Sequence, residues 1–124
     1  MAKNLILVDS SVWIDHFRKA NTQLQSILEE GLVVTHPFIV GELALGSIRS
    51  RSEILTWLQT LPQLLMVNHN EILYFIEQNR LFNQGIGLVD TQLLASCLIQ
   101  GNALLWTRDK HLNEAANKLN IGFN

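Results

Sequence analysis

Two runs of four consecutive apolar residues, Leu5–Val8 (LILV) and Ala103–Trp106 (ALLW), set the fold class of this chain. Each is too short for a buried helix and offers no polar face. Strands covered on both sides read this way, and such strands belong to parallel sheets. A parallel sheet needs crossover connections, usually helical. The intervening sequence supplies them. Leu24, Ile27 and Leu28 recur at helical spacing and Gly31 stops that helix. Ile54, Leu58 and Leu61 form a second stripe, and Leu93, Leu94 and Cys97 a third, ended by Gly101.

The pattern predicts helices over 10–19, 22–30, 37–48, 52–61, 69–84 and 88–100, and a partly helical 107–119. Ser10 or Ser11 is the expected cap of the first, and Pro37 suits a first helical position. Strands are expected at 5–8, 32–35, 64–67 and 103–106, with a short edge strand at 121–123. The fold class is α/β with a parallel sheet. At 124 residues the whole chain, 1–124, is expected to be one domain.

Four carboxylates interrupt this apolar pattern. Asp9 ends LILV, and Asp109 closes ALLWTRD. Glu42 stands in PFIVGELALG, where Phe38, Ile39 and Leu45 are expected to share its face. Asp90 precedes Leu93, Leu94 and Cys97 in one helical register, which aims it inward. Singly, each has an ordinary explanation: a helix cap for Asp9, a dipole partner for Asp90, a turn for Asp109. Together they are harder to explain, because even a neutral polar group on an apolar stripe costs roughly 2–7 kcal/mol uncompensated. In parallel sheets, ligands gather beyond the carboxyl ends of the strands, where Asp9 and Asp109 fall. Four acids converging there repel each other, and a divalent cation relieves the repulsion. Oxygen donors favour Mg²⁺ or Mn²⁺. His16, His36, His69 and His111 show no ligand spacing and the single cysteine forms no cluster, which disfavours zinc. Bound metal among carboxylates points to phosphate chemistry.

Composition limits what can partner the chain. Charged residues are 16% of the sequence and hydrophobic ones 48%, against a usual charged share of about 25%. That balance leaves more apolar surface than a lone monomer needs, so a homo-oligomer or a protein partner is expected. The stripes at 22–30 and 52–61 are the candidate faces. The formal charge of −2 excludes a whole-molecule attraction for nucleic acid, which leaves a local patch. Cys97 has no partner for a disulfide, so a reducing, cytoplasmic setting is expected. MAKNLILVDSS lacks the apolar core of a signal peptide. No apolar run approaches the roughly 18 residues of a membrane span.

LILVDSSVWIDHFR, GELALG, GLVDTQLLAS and LLWTRDKHL, in that order, resemble the four acidic motifs of PIN-domain ribonucleases, and more narrowly those of VapC-type toxins of bacterial toxin–antitoxin pairs. The resemblance spans essentially the whole chain. It implies a three-layer α/β/α fold, Mg²⁺- or Mn²⁺-dependent endonucleolytic cleavage of RNA, a homodimer and a cognate VapB-like antitoxin. By position it makes Asp9, Glu42, Asp90 and Asp109 the catalytic and metal-binding quartet, with Ser11 and Thr107 as auxiliary hydroxyls. Asp9, Asp90 and Asp109 would hold one ion; Glu42 would orient the attacking water or recruit a second ion. Arg49, Arg51, Arg108 and Lys110 are candidate RNA contacts.

Other α/β phosphate enzymes fit less well. A phosphoacceptor receiver domain expects adjacent acids after the first strand and an acid after a middle strand, but Asn68 follows the expected third strand. A haloacid-dehalogenase-type phosphatase expects a second Asp at position 11, which is Ser11. A catalytically inert interaction module of the same fold is the remaining alternative.

Overall fold

The computed structural model describes residues 3–124. Its order is β1 (Leu5–Val8), α1 (Ser10–Arg18), α2 (Thr22–Glu29), β2 (Val33–Val34), α3 (Pro37–Leu45), α4 (Arg51–Leu58), α5 (His69–Asn79), α6 (Leu88–Gln100), β3 (Ala103–Trp106) and α7 (Lys110–Lys118). The sheet runs β2-β1-β3, parallel throughout, with Ile6 opposite Val33 and Val8 opposite Trp106. Helices cover both faces, so the architecture is three-layer α/β/α. Ile6, Leu7 and Val8 are buried, as the all-apolar run requires of a central strand. Trp13, Leu24, Ile39, Leu58, Leu93, Leu94 and Leu105 complete one core.

Asp9, rather than Ser10 or Ser11, holds the N-cap position of α1, although its side chain does not cap. Gly31 (φ 71°) and Gly101 (φ 86°) adopt the left-handed backbone that ends α2 and α6. Most helices are shorter than expected; α4, for one, stops at Leu58 rather than 61. The first stops at Arg18, α3 at Leu45, and α5 at Asn79, where Arg80 turns left-handed with φ 51°.

The expected strand at 64–67 does not form. A single parallel bridge joins Thr35 to Gln63, and α6 side chains replace the missing ladder. Gln92 Oε1 accepts from Val67 N at 2.9 Å while its Nε2 donates to Val67 O at 2.6 Å. Ser96 Oγ donates to Leu65 O at 2.8 Å. An apolar run bounded by proline and asparagine reads as a strand, but here two polar side chains satisfy its backbone. The edge strand at 121–123 is likewise one bridge, Leu105 to Gly122.

On the candidate oligomer stripes Leu24, Ile27 and Leu58 are buried in the core, while Leu28, Ile54 and Leu61 are only partly buried and Trp57 is 42% exposed. Apolar exposure is greater at Leu45 (91%), Leu65 (79%), Tyr74 (67%) and Ile99 (60%). No helix among the described residues is long and apolar enough to cross a membrane.

Candidate active site

The register of β1 and β3 builds the centre of the site. Val8 pairs with Trp106, so the next residues, Asp9 and Thr107, are neighbours at the carboxyl edge of the sheet. Asp9 N donates to Trp106 O at 2.9 Å, which fixes the turn. Asp9 is 6% exposed. Its Oδ2 accepts from Ser11 Oγ and from Thr107 Oγ1, both at 2.8 Å. Those two hydroxyls are themselves bound by backbone: Arg108 N donates to Ser11 Oγ at 3.1 Å, and Asp109 N to Thr107 Oγ1 at 3.1 Å. Thus Ser11 and Thr107 connect Asp9 to the turn that carries Asp109.

The other three acids follow one pattern. Asp109 caps α7, its Oδ1 accepting from Leu112 N at 2.9 Å. Asp90 lies in the first turn of α6 and its Oδ2 accepts from Gly87 N at 3.3 Å. Glu42 Oε1 accepts from Ser10 Oγ at 3.1 Å. Each of the four carboxylates therefore uses one oxygen for an internal bond. Among the described residues, no donor meets the other oxygen of any of them.

Their charges interact. Burial first, then the Asp9 and Asp90 charges, push the Glu42 carboxyl above its ordinary range, against the opposing bond from Ser10. Burial likewise raises Asp90, opposed by the Gly87 amide and reinforced by Asp9 and Asp109. So four acids up to 100 residues apart in sequence feel one another in the fold. Glu42 nevertheless stands at an exposed rim, not on an apolar face; α3 buries Ile39 and Leu43, and Leu45 is 91% exposed.

A cation among these groups must satisfy the donors as they stand. Among the described residues, no three acidic, histidine or cysteine side chains close tightly enough to clasp a bare ion. Mg²⁺ keeps several of its own waters, so direct contact with every acid is not needed. The free oxygen on each anchored carboxylate suits a hard, partly hydrated divalent ion. Asp9, Asp90, Asp109 and Glu42 each keep one such oxygen, Glu42 at the exposed rim.

The basic residues divide. Arg51 Nε and Nη2 donate to Ala44 O at 2.9 and 2.7 Å, closing the end of α3. Arg108 pairs with Asp15 at 2.6 Å. Arg49 lines a cavity with Glu42 and Arg18. Lys110 is exposed at the start of α7. Sequence reasoning missed Ser10 and Arg18. The available signal was spacing: Ser10, Ile14 and Arg18 stand at successive fourth positions, on one face of α1.

His36 is fully buried and works structurally. Its Nδ1 accepts from Phe38 N at 3.0 Å, capping α3, so Nε2 carries the proton and donates to Ser96 Oγ at 3.1 Å. Burial pulls its pKa down to about 4.

Comparison with known proteins agrees with this geometry. Residues 6–118 match the PIN domain. Ribonuclease VapC32 of Mycobacterium tuberculosis, from strain CDC 1551 / Oshkosh and from strain ATCC 25618 / H37Rv, is 45% identical over 111 residues, covering 90% of this chain and 90% of the relative. The chain belongs to the PIN-domain family, within its VapC-type ribonucleases.

Proposed function

We propose that this single-domain chain is a divalent-metal-dependent endoribonuclease and the toxin of a type II toxin–antitoxin pair. The observation that carries the reading is the shared habit of Asp9, Glu42, Asp90 and Asp109: one oxygen tied to the protein, the other free, at one edge of the sheet. A buried Asp9 bound by two hydroxyls is held as an acceptor in one orientation, as catalytic preorganisation requires.

Mg²⁺ or Mn²⁺, when bound, supplies positive charge to the phosphoryl group and acidity to water. The protein's own groups do the rest. Asp9, Asp90 and Asp109 would hold the ion. Ser11 and Thr107 keep Asp9 from rotating. Glu42, at the exposed rim, orients the attacking water and draws its proton. Water oxygen adds to phosphorus as the bond to the 3′ oxygen breaks, and that oxygen takes a proton from solvent water, leaving a 5′-phosphate and a 3′-hydroxyl. The protein partners under this reading are a VapB-like antitoxin and a second copy of the chain. Buried Cys97, its thiol pushed up to about 12 by desolvation, suits a cytoplasmic protein without thiol chemistry.

The test uses antitoxin-free protein and a mixed cellular RNA. Cleavage with Mg²⁺ that stops in EDTA, and that Asp9→Asn and Asp90→Asn both abolish, supports the reading. Equal cleavage by both variants leaves the chain an inert interaction module.

A further inference from the structure

A cavity of about 570 Å³ opens beside Glu42, between α1 and the turn after α3. Ile14, Phe17, Leu43 and Ile48 make its apolar wall; Arg18 and Arg49 stand in the same lining. Neither guanidinium is ion-paired among the described residues, where the pairs are Lys3 with Glu30 and Arg108 with Asp15. Phe17 is a supported ring: it stacks on Trp13 at 5.8 Å and 23°, and Trp13 is fully buried. Arg18 also lines a neighbouring depression with Asp15, Lys19 and Arg108, where Arg108 is paired with Asp15 and, among the described residues, Arg18 and Lys19 are the unpaired cations.

We propose that this cavity receives one unpaired nucleotide of the substrate strand, beside the bond that is cut, with its base against Ile14, Phe17 and Ile48 and its phosphate against Arg18 and Arg49. The inference rests on the ribonuclease reading above. A nucleotide is an apolar ring joined to an anion, and the cavity offers an apolar wall joined to two uncommitted cations. Bases reach such sites only when unstacked, which is how proteins read single-stranded RNA. The volume lies within the usual range for small-molecule sites. Glu42 belongs both to this lining and to the acid cluster, so an occupant here is adjacent to the chemistry. Arg18 thereby replaces Arg51 as a substrate contact, since Arg51 is committed to Ala44 O.

The experiment measures cleavage of a short single-stranded RNA by the full chain with Mg²⁺. Arg18→Ala, Arg49→Ala and Ile14→Glu are compared with the parent. In parallel, the RNA carries an abasic nucleotide on either side of the mapped cut, and a duplex of the same sequence serves as a third substrate. The expected result is KM raised roughly tenfold by each substitution and by one of the two abasic positions, with kcat within about twofold. The duplex is cut at least roughly tenfold more slowly. The salt dependence of binding falls by about one ion for each arginine removed. Unchanged KM in Arg18→Ala and Arg49→Ala, or an abasic RNA cut as well as the intact one at both positions, overturns the inference. So does a loss confined to antitoxin binding. A parent protein that cuts no RNA defeats the ribonuclease reading instead, a result separable from cleavage that ignores the cavity.

Discussion

Thr107 Oγ1 donates to Asp9 Oδ2 at 2.8 Å across 98 residues of sequence. The contact follows from strand register: Val8 lies opposite Trp106, so the residues after them must meet. Thr107→Val keeps the shape and removes the hydroxyl. It leaves Asp9 with Ser11 alone and takes the acceptor from Asp109 N. Groups that orient metal-ligating carboxylates cost 10–100-fold in metal affinity or activity when removed, so a fall of about that size is expected. The stability loss should be about 1 kcal/mol. Cleavage rates and denaturant midpoints check both; a variant as active as the parent shows that Asp9 needs no such restraint.

The raised carboxyls of Glu42 and Asp90 make a signed statement about pH. A group whose folded pKa exceeds its unfolded value binds its proton more tightly when folded. Its contribution therefore favours the fold at low pH and is lost as pH rises through the raised pKa. At neutral pH the metal-free site thus strains the fold. Asp90→Asn should raise the melting temperature of EDTA-treated protein while abolishing cleavage. Mn²⁺ should raise the parent's melting temperature, increasingly with concentration as mass action requires, and the variant's much less. An Asp90→Asn protein that melts lower than the parent in EDTA shows that the Asp90 carboxylate stabilises the fold more, through its bond to Gly87, than burial and repulsion destabilise it.

Strands β1 and β3, and four acids that act on one another's charge, are legible in the sequence because each departs from an expected pattern. LILV and ALLW have no polar face, and each acid breaks an apolar run or a helical register. What is not legible depends on distant partners. Residues 64–67 carry strand-like composition, but Gln92 and Ser96, about thirty positions later, satisfy their backbone. No local pattern announces that substitution. The same holds for Arg51, whose role is set by the carbonyl of Ala44. Apolar stripes announce burial but not against what: Leu24, Ile27 and Leu58 enter the chain's own core, while Trp57 on the helix of Leu58 stays exposed.

Ser96 holds the segment that does not become a strand. It donates to Leu65 O and receives from His36 Nε2. Ser96→Ala strips both partners at once inside the protein. Unsatisfied buried groups cost about 1–3 kcal/mol each, so a loss of about 2–6 kcal/mol is expected. Urea unfolding measures it. Hydrogen exchange should quicken first at Leu64 N, which donates to Thr35 O at 2.9 Å. A loss below about 0.5 kcal/mol shows that water replaces the hydroxyl without penalty.

A second copy of the chain, as proposed, needs an apolar face. One candidate lies where Tyr74 of α5 and Ile99 of α6 line one shallow groove with Val67, Phe75 and Ala95. Both side chains are more than half exposed, so changing them should not disturb the core. Ile99→Glu places a charge in that groove and should convert a dimer to a monomer at micromolar concentration, with the circular dichroism spectrum unchanged. Analytical ultracentrifugation decides. A variant that remains dimeric moves the interface elsewhere.

His36 opposes the acid cluster in its response to pH. Its folded pKa, about 4, lies below the ordinary histidine value of 6.5. It therefore stabilises the fold fully above 6.5, and that contribution is lost as pH falls toward 4. The full shift corresponds to roughly 3 kcal/mol, an upper bound. The structural cause is explicit: protonating Nδ1 removes the acceptor of Phe38 N and uncaps α3, the helix that carries Glu42. His36→Asn keeps a side-chain acceptor at the cap but cannot titrate. Its unfolding free energy should therefore depend less on pH between 6.5 and 4 than the parent's, although it is lower at neutral pH because the bond to Ser96 is gone. Urea titrations of both proteins across that window, with Mg²⁺ present to quiet the acid cluster, separate the two opposing slopes. Equal pH dependence in parent and variant shows that His36 is not the acid-sensitive element of the fold.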